Sequence, residues 1–145
     1  MPRILIIGDL MLDHYVWGSV ERISPEAPVQ ILKITHENNR LGGASNVALN
    51  LIALGAKAHI CGIVGDDSDG KIIVDLLDSA EIERDFLCVK SDFQSIKKTR
   101  FIASNQQVLR VDRESVDMSL DSTILEKIKD TLDDFNAIIL SDYGK

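Results

Sequence analysis

Ile4-Leu5-Ile6-Ile7 is an unbroken apolar run stopped by Gly8-Asp9, and the pattern recurs twice along the chain. Lys57 to Val64 ends at Gly65-Asp66-Asp67, and Ala137-Ile138-Ile139-Leu140 ends at Ser141-Asp142. Short apolar runs without polar alternation predict strands buried on both faces of a parallel sheet. Helical spacing lies between them. Ala44, Val47, Ala48 and Leu51 share a face before Gly55 closes the helix, and Ile73, Leu76, Leu77 and Ala80 do the same after Asp67-Ser68. Leu125, Ile128 and Leu132 mark a third helix, with Thr123 and Glu126 at capping-box spacing. The alternation of strand and helix predicts an α/β fold with a doubly wound, mainly parallel sheet.

Two segments break that rhythm. Val29 to Thr35 alternates imperfectly, and Thr99 to Asp112 places Phe101, Ala103, Val108, Arg110 and Asp112 in a pattern of solvated, antiparallel strands. Neither fits a βαβ unit, so the economical reading is a small β-flap across the carboxyl edge of the main sheet, where α/β proteins bind ligands. Ser24-Pro25-Glu26-Ala27-Pro28 is a rigid turn leading into it.

With 145 residues, 45% of them hydrophobic, the chain can bury the core of one domain. Its net charge of −7 disfavours nucleic acid or an anionic membrane as a general partner. Cys61 and Cys88 sit in apolar runs without metal-ligand spacing, which predicts buried, reduced thiols and no metal site. The N-terminal apolar run is too short for a signal peptide, and no run is long enough for a membrane span, so the expected location is cytoplasmic.

Candidate chemistry gathers at a few places. Gly42-Gly43 runs directly into a helix, where glycine admits close approach of a ligand and the helix start offers unpaired N–H groups. Asp9 and Asp13 follow the first strand, and a carboxylate there can accept hydrogen bonds from sugar hydroxyls; solvation or helix capping is the structural alternative. Asn46 has the same two readings. Lys97-Lys98-Thr99-Arg100 and Arg110-Val111-Asp112-Arg113 concentrate cations that could hold a phosphate or simply face water. Tyr15 and Trp17 could pack against a sugar or beneath the flap. Ser141-Asp142-Tyr143 lies past a strand end, a ligand edge or a turn.

Gly42-Gly43-Ala44-Ser45-Asn46-Val47-Ala48, with Leu54-Gly55-Ala56 and Gly62 to Gly70, resembles the N-terminal signature region of the ribokinase-like (PfkB) carbohydrate kinases. Further segments are similar to the heptose 7-phosphate kinases within that family: Gly8 to Asp13, Arg22 to Val29, Ser104-Asn105-Gln106-Gln107 with Arg110 and Asp112, and Leu140 to Lys145. The resemblance implies ATP-dependent phosphorylation, with Mg2+, of the anomeric hydroxyl of a heptose 7-phosphate, feeding ADP-heptose and lipopolysaccharide core synthesis. It assigns Asp13, Gly42, Gly43 and Asn46 to the sugar, and the polar edge adds Arg100, Arg110 and Asp142 as substrate-binding candidates. It also implies a lid over residues 14–41 and 96–114, a homodimer formed through that lid, and a fused adenylyltransferase.

The family's Gly-Ala-Gly-Asp segment, which supplies the anion hole and general base, has no counterpart among these residues. The chain is therefore expected to be the N-terminal part of one kinase domain, inactive alone. The alternatives are a kinase for a pentose, ketohexose or nucleoside, and a non-catalytic module that binds sugar phosphate or dimerises.

Overall fold

A computed structural model describes residues 1–114 and 122–144. The first apolar run becomes β1 (Arg3–Gly8), which pairs in parallel with β4 (Lys57–Gly65) on one side and β8 (Ala137–Ser141) on the other. β5 (Glu83–Lys90) adds to β4, giving the order β5-β4-β1-β8. Successive side chains of a strand point to opposite faces. On one face, Ile6 and Ile60 pack with α1 (Ala44–Ala53) and α2 (Ser68–Ser79) through Ala44, Ala48, Ile73 and Leu77. On the other face, Leu5 and Cys61 pack with Phe86 and with Ile128 of α3 (Ser122–Thr131). Each large side chain removed from water here contributes about 1.5–3 kcal/mol. The predicted two-sided burial of the first two runs is thus what holds this sheet together.

The third run behaves differently. β8 is an edge strand, and Ile138 and Leu140 are 43% and 74% exposed. The apolar run describes the strand correctly but not its burial, because no described residue pairs with its outer edge. The third helix is also shorter in its buried face than its periodicity implied. Ile128 is buried, whereas Leu125 and Leu132 are exposed, and Leu132 starts a 3-10 turn. Thr123 lies inside α3 rather than at its N-cap. Of the thiols, Cys61 is buried and Cys88 only half-buried, and both are free. Lys145, the end of the last motif, lies outside the described residues.

A second four-stranded sheet interrupts the α/β alternation, with the order β3-β2-β6-β7. It comprises β2 (Leu10–Ile23), β3 (Gln30–Gly43), β6 (Ile96–Ala103) and β7 (Gln106–Arg113). β2 pairs antiparallel with β3 and parallel with β6, while β6 and β7 form a hairpin. Ser104 and Asn105 turn that hairpin with φ of 50° and 61°, the double positive φ of a two-residue hairpin turn whose twist matches its strands.

The root of this sheet is tied to α2. Asp67 caps α2 by accepting from the Gly70 amide at 2.7 Å, and its other oxygen accepts from the Ser95 amide at 2.8 Å. Partial burial pushes the Asp67 carboxyl up, but the Ser95 and Gly70 amides outweigh it and hold the group below the usual carboxylate range. Two residues on, buried Asp69 accepts from Lys97 at 2.8 Å and from Arg113 at 3.0 Å. The residues opening β6 and closing β7 are therefore fixed to one helix start.

Candidate functional site

Where β1 ends, Asp9 joins three elements. Its amide donates to the Ser141 carbonyl, its own carbonyl accepts from Ala44 at the start of α1, and its carboxylate accepts from the Tyr143 amide at 2.7 Å. Asp9 is buried, so it is the knot of the site rather than a hydroxyl acceptor within it. The main sheet also reverses here, with β4 and β5 built to one side of β1 and β8 to the other. Ligands of open α/β sheets bind at such a reversal, beyond the carboxyl ends of the strands.

The double glycine lets the second sheet meet this point closely. Gly43 has φ +58°, and a Cβ there would collide with the Asp9 carbonyl. A Cβ on Gly42 would stand 2.6 Å from Asp13 Oδ2. Gly42-Gly43 thus permits both the turn into α1 and the seating of the Asp13 carboxylate against the backbone. Gly43 occupies the N-cap position without a side-chain cap, and Asn46 lies exposed in the first turn, so Asn46 does not cap this helix.

Beside this turn is a cleft of about 460 Å³ whose walls include Asp13, Tyr15, Arg40, Asn46, Leu49 and Leu76. Arg100 Nη1 donates to Asp13 Oδ1 at 2.7 Å, with both side chains about four-fifths buried. Burial works against the Arg100 charge, but the Asp13 carboxylate more than compensates and raises the guanidinium further. Tyr15 lies between two cations, with Arg40 4.8 Å and Arg100 5.2 Å from its ring centroid. Trp17 stacks on Tyr15 and on His36, extending the aromatic surface away from the cleft.

Of the seven candidates, Asp13, Gly42, Gly43, Asn46 and Arg100 converge here. Arg110 is opposite Arg100 on β7, half-exposed and bonded to Asp112. Asp142 stands at the end of β8, where it accepts from the Gly144 amide, and does not line this cleft. The cations of these segments are paired, Lys97 and Arg113 with Asp69, and Lys98 and Arg110 with Asp112, two cations sharing each carboxylate. Arg40 was invisible in the sequence pattern. Its signal is its register opposite Asp13 across β2 and β3, which needs the pairing to be known.

The pattern of the pfkB family carbohydrate kinases matches residues 1–142, and the chain belongs to that family. It is 53% identical over 147 residues to the Bifunctional protein HldE of Helicobacter hepaticus (strain ATCC 51449 / 3B1), covering 99% of this chain and 30% of that protein. It is 49% identical to the Bifunctional protein HldE of Campylobacter curvus (strain 525.92), covering 99% of this chain and 31% of that protein. The chain therefore spans about a third of the length of these curated relatives. Among solved structures, ribokinase of Arabidopsis thaliana complexed with ribose and ATP superposes with a TM-score of 0.72 at 16% identity, over 96% of this chain and 45% of that one. A carbohydrate kinase from Agrobacterium tumefaciens gives 0.72 at 20% identity, over 97% and 45%. The ribokinase-like α/β fold, with a parallel sheet and a second small sheet, is thus shared across low identity. No helix among the described residues is long and apolar enough to cross a membrane.

Proposed function

We propose that this chain is the sugar-binding, lid-bearing N-terminal part of an ATP-dependent kinase that phosphorylates the anomeric hydroxyl of D-glycero-D-manno-heptose 7-phosphate. The observation that carries this reading is the Asp13 carboxylate. Arg100 fixes Oδ1, while Oδ2 faces Gly42 with no donor of its own among the described residues. An ionised oxygen held in that way is a strong acceptor for sugar hydroxyls. Asn46 adds an exposed amide on the same cleft.

Phosphoryl transfer depends chiefly on positioning and charge stabilisation. On this reading the chain's own residues do the positioning: Asp13 and Asn46 orient the sugar, and the second sheet shields it from water as a lid over residues 14–41 and 96–114. The base, anion hole, ATP and Mg2+ belong to a downstream part of the protein, so this polypeptide alone is inactive. Among the described residues, no group of three His, Cys, Asp or Glu is placed to hold a metal ion. The product serves ADP-heptose and lipopolysaccharide core synthesis in the cytoplasm, with a fused adenylyltransferase as partner activity.

An apolar groove of about 490 Å³ on the second sheet, including Val20, Leu32, Ile34, Phe101 and Leu109, supports pairing of two lids in a homodimer. Steady-state turnover by the full-length protein tests the substrate. Heptose 7-phosphate is expected to be strongly preferred over ribose, fructose and nucleosides; equal turnover of the unphosphorylated sugars would overturn the assignment.

A further inference from the structure

We propose that Arg40 reads the substrate's phosphate and so sets the preference for a phosphorylated over a free sugar, an inference that rests on the sugar-phosphate kinase reading above. The cations of β6 and β7 each already contact a carboxylate. Lys97 and Arg113 hold Asp69, Lys98 and Arg110 hold Asp112, and Arg100 holds Asp13. Arg40 has no carboxylate partner among the described residues; its Nε donates to the neutral Asn38 Oδ1 at 3.1 Å. The guanidinium is nevertheless positioned, because it lies over the Tyr15 ring at 4.8 Å.

That leaves the two terminal nitrogens without an acceptor among the described residues, on the wall of the cleft. A guanidinium in this state presents a planar pair of donors whose spacing matches two phosphate oxygens. Arg100 is less suited to that task, since Asp13 already offsets its charge. Arg40 also faces Asp13 directly across the β2–β3 pair. Paired residues of adjacent strands have Cβ atoms about 5 Å apart, so a hydroxyl acceptor and an anion donor stand side by side. A ligand carrying vicinal hydroxyls and a phosphate satisfies both at once.

The test uses the full-length protein with Arg40→Met and Arg40→Lys, assayed with heptose 7-phosphate and with unphosphorylated heptose. The ratio of kcat/KM for the phosphorylated to the free sugar is expected to fall by at least about thirty-fold in Arg40→Met, the scale of lost hydrogen bonds to a charged group. The loss should lie in KM, and Arg40→Lys should recover part of it by keeping the charge without the fork. A wild-type ratio in Arg40→Met, or an equal loss on both substrates, would overturn the role of Arg40. A wild-type enzyme with no preference for the phosphorylated sugar would instead remove the underlying kinase assignment, a separate result.

Discussion

In the sheet containing β1, Leu5, Ile6, Ile60 and Cys61 are fully buried between two helical layers, whereas in the sheet containing β2 every residue of β7 is exposed and polar pairs run from strand to strand. The first sheet is held by apolar area, which is insensitive to sequence detail as long as volume is kept. The second buries Leu10, Met11, Leu12, Val16, Leu41 and Ile96 as well, but β7 and the outer ends of β2 and β3 are held by backbone pairing and by ion pairs such as Lys98–Asp112. The exposed outer part of this second sheet can present charged groups to a ligand and has little core of its own to lose. On the proposed function, the division of labour is between a scaffold that folds the domain and a polar surface that carries recognition.

The largest expected effect is on the scaffold. Ile60→Ala should cost about 2–5 kcal/mol in denaturant unfolding, because it opens a cavity in the main layer. Val111→Ala, on the exposed second sheet, should stay within about 0.5 kcal/mol. Gly43→Ala comes next, at about 1–3 kcal/mol, since φ +58° and the Asp9 carbonyl both oppose a Cβ. It should also weaken sugar binding, whereas a loss of stability with sugar affinity intact would separate the turn from the site.

Asp69→Asn separates the two sheets in another way. Its partners Lys97 and Arg113 retain access to water, so the expected loss is about 1–2 kcal/mol rather than the full cost of breaking a buried pair. Hydrogen exchange should quicken in β6 and β7 and stay slow in β1 and β4; uniform quickening would show that the two sheets open as one unit. The smallest effects are in pH. Asp67 has a folded pKa below its ordinary 3.8, so its contribution is present above that value and is lost as pH falls through the lowered one. The stability advantage of wild type over Asp67→Asn should therefore be constant above about pH 4 and shrink as pH falls below it. Burial, and next the neighbouring Cys88, push the Cys61 thiol up to about 11, so alkylation near neutral pH should modify Cys88 first.

The scaffold was legible because burial on both faces leaves a continuous apolar run, as in Ile4–Ile7 and Lys57–Val64. The same logic overreached at Ala137–Leu140, where composition specifies a strand but cannot say whether a neighbour covers it. β2 was harder to read, because the mixed run around Asp13 and His14 has no clean alternation and looks like a loop bearing candidate ligands. The double glycine and Asp13 were legible through local chemistry. The Asp13–Arg100 pair spans 87 positions, and Arg40 gains meaning only from strand register, so neither could be found by spacing. Counting cations in β6 and β7 suggested an anion site; their carboxylate partners, distant in sequence, had to be placed before those cations could be seen as paired.

The most direct measurement of the site is sugar binding by the full-length protein carrying Asp13→Asn, which keeps the shape of the carboxylate and removes its charge. Heptose 7-phosphate affinity is expected to fall by at least about tenfold with ATP affinity retained, the loss of one charge-assisted acceptor. An unchanged sugar affinity in that variant would contradict the placement of the sugar at Asp13.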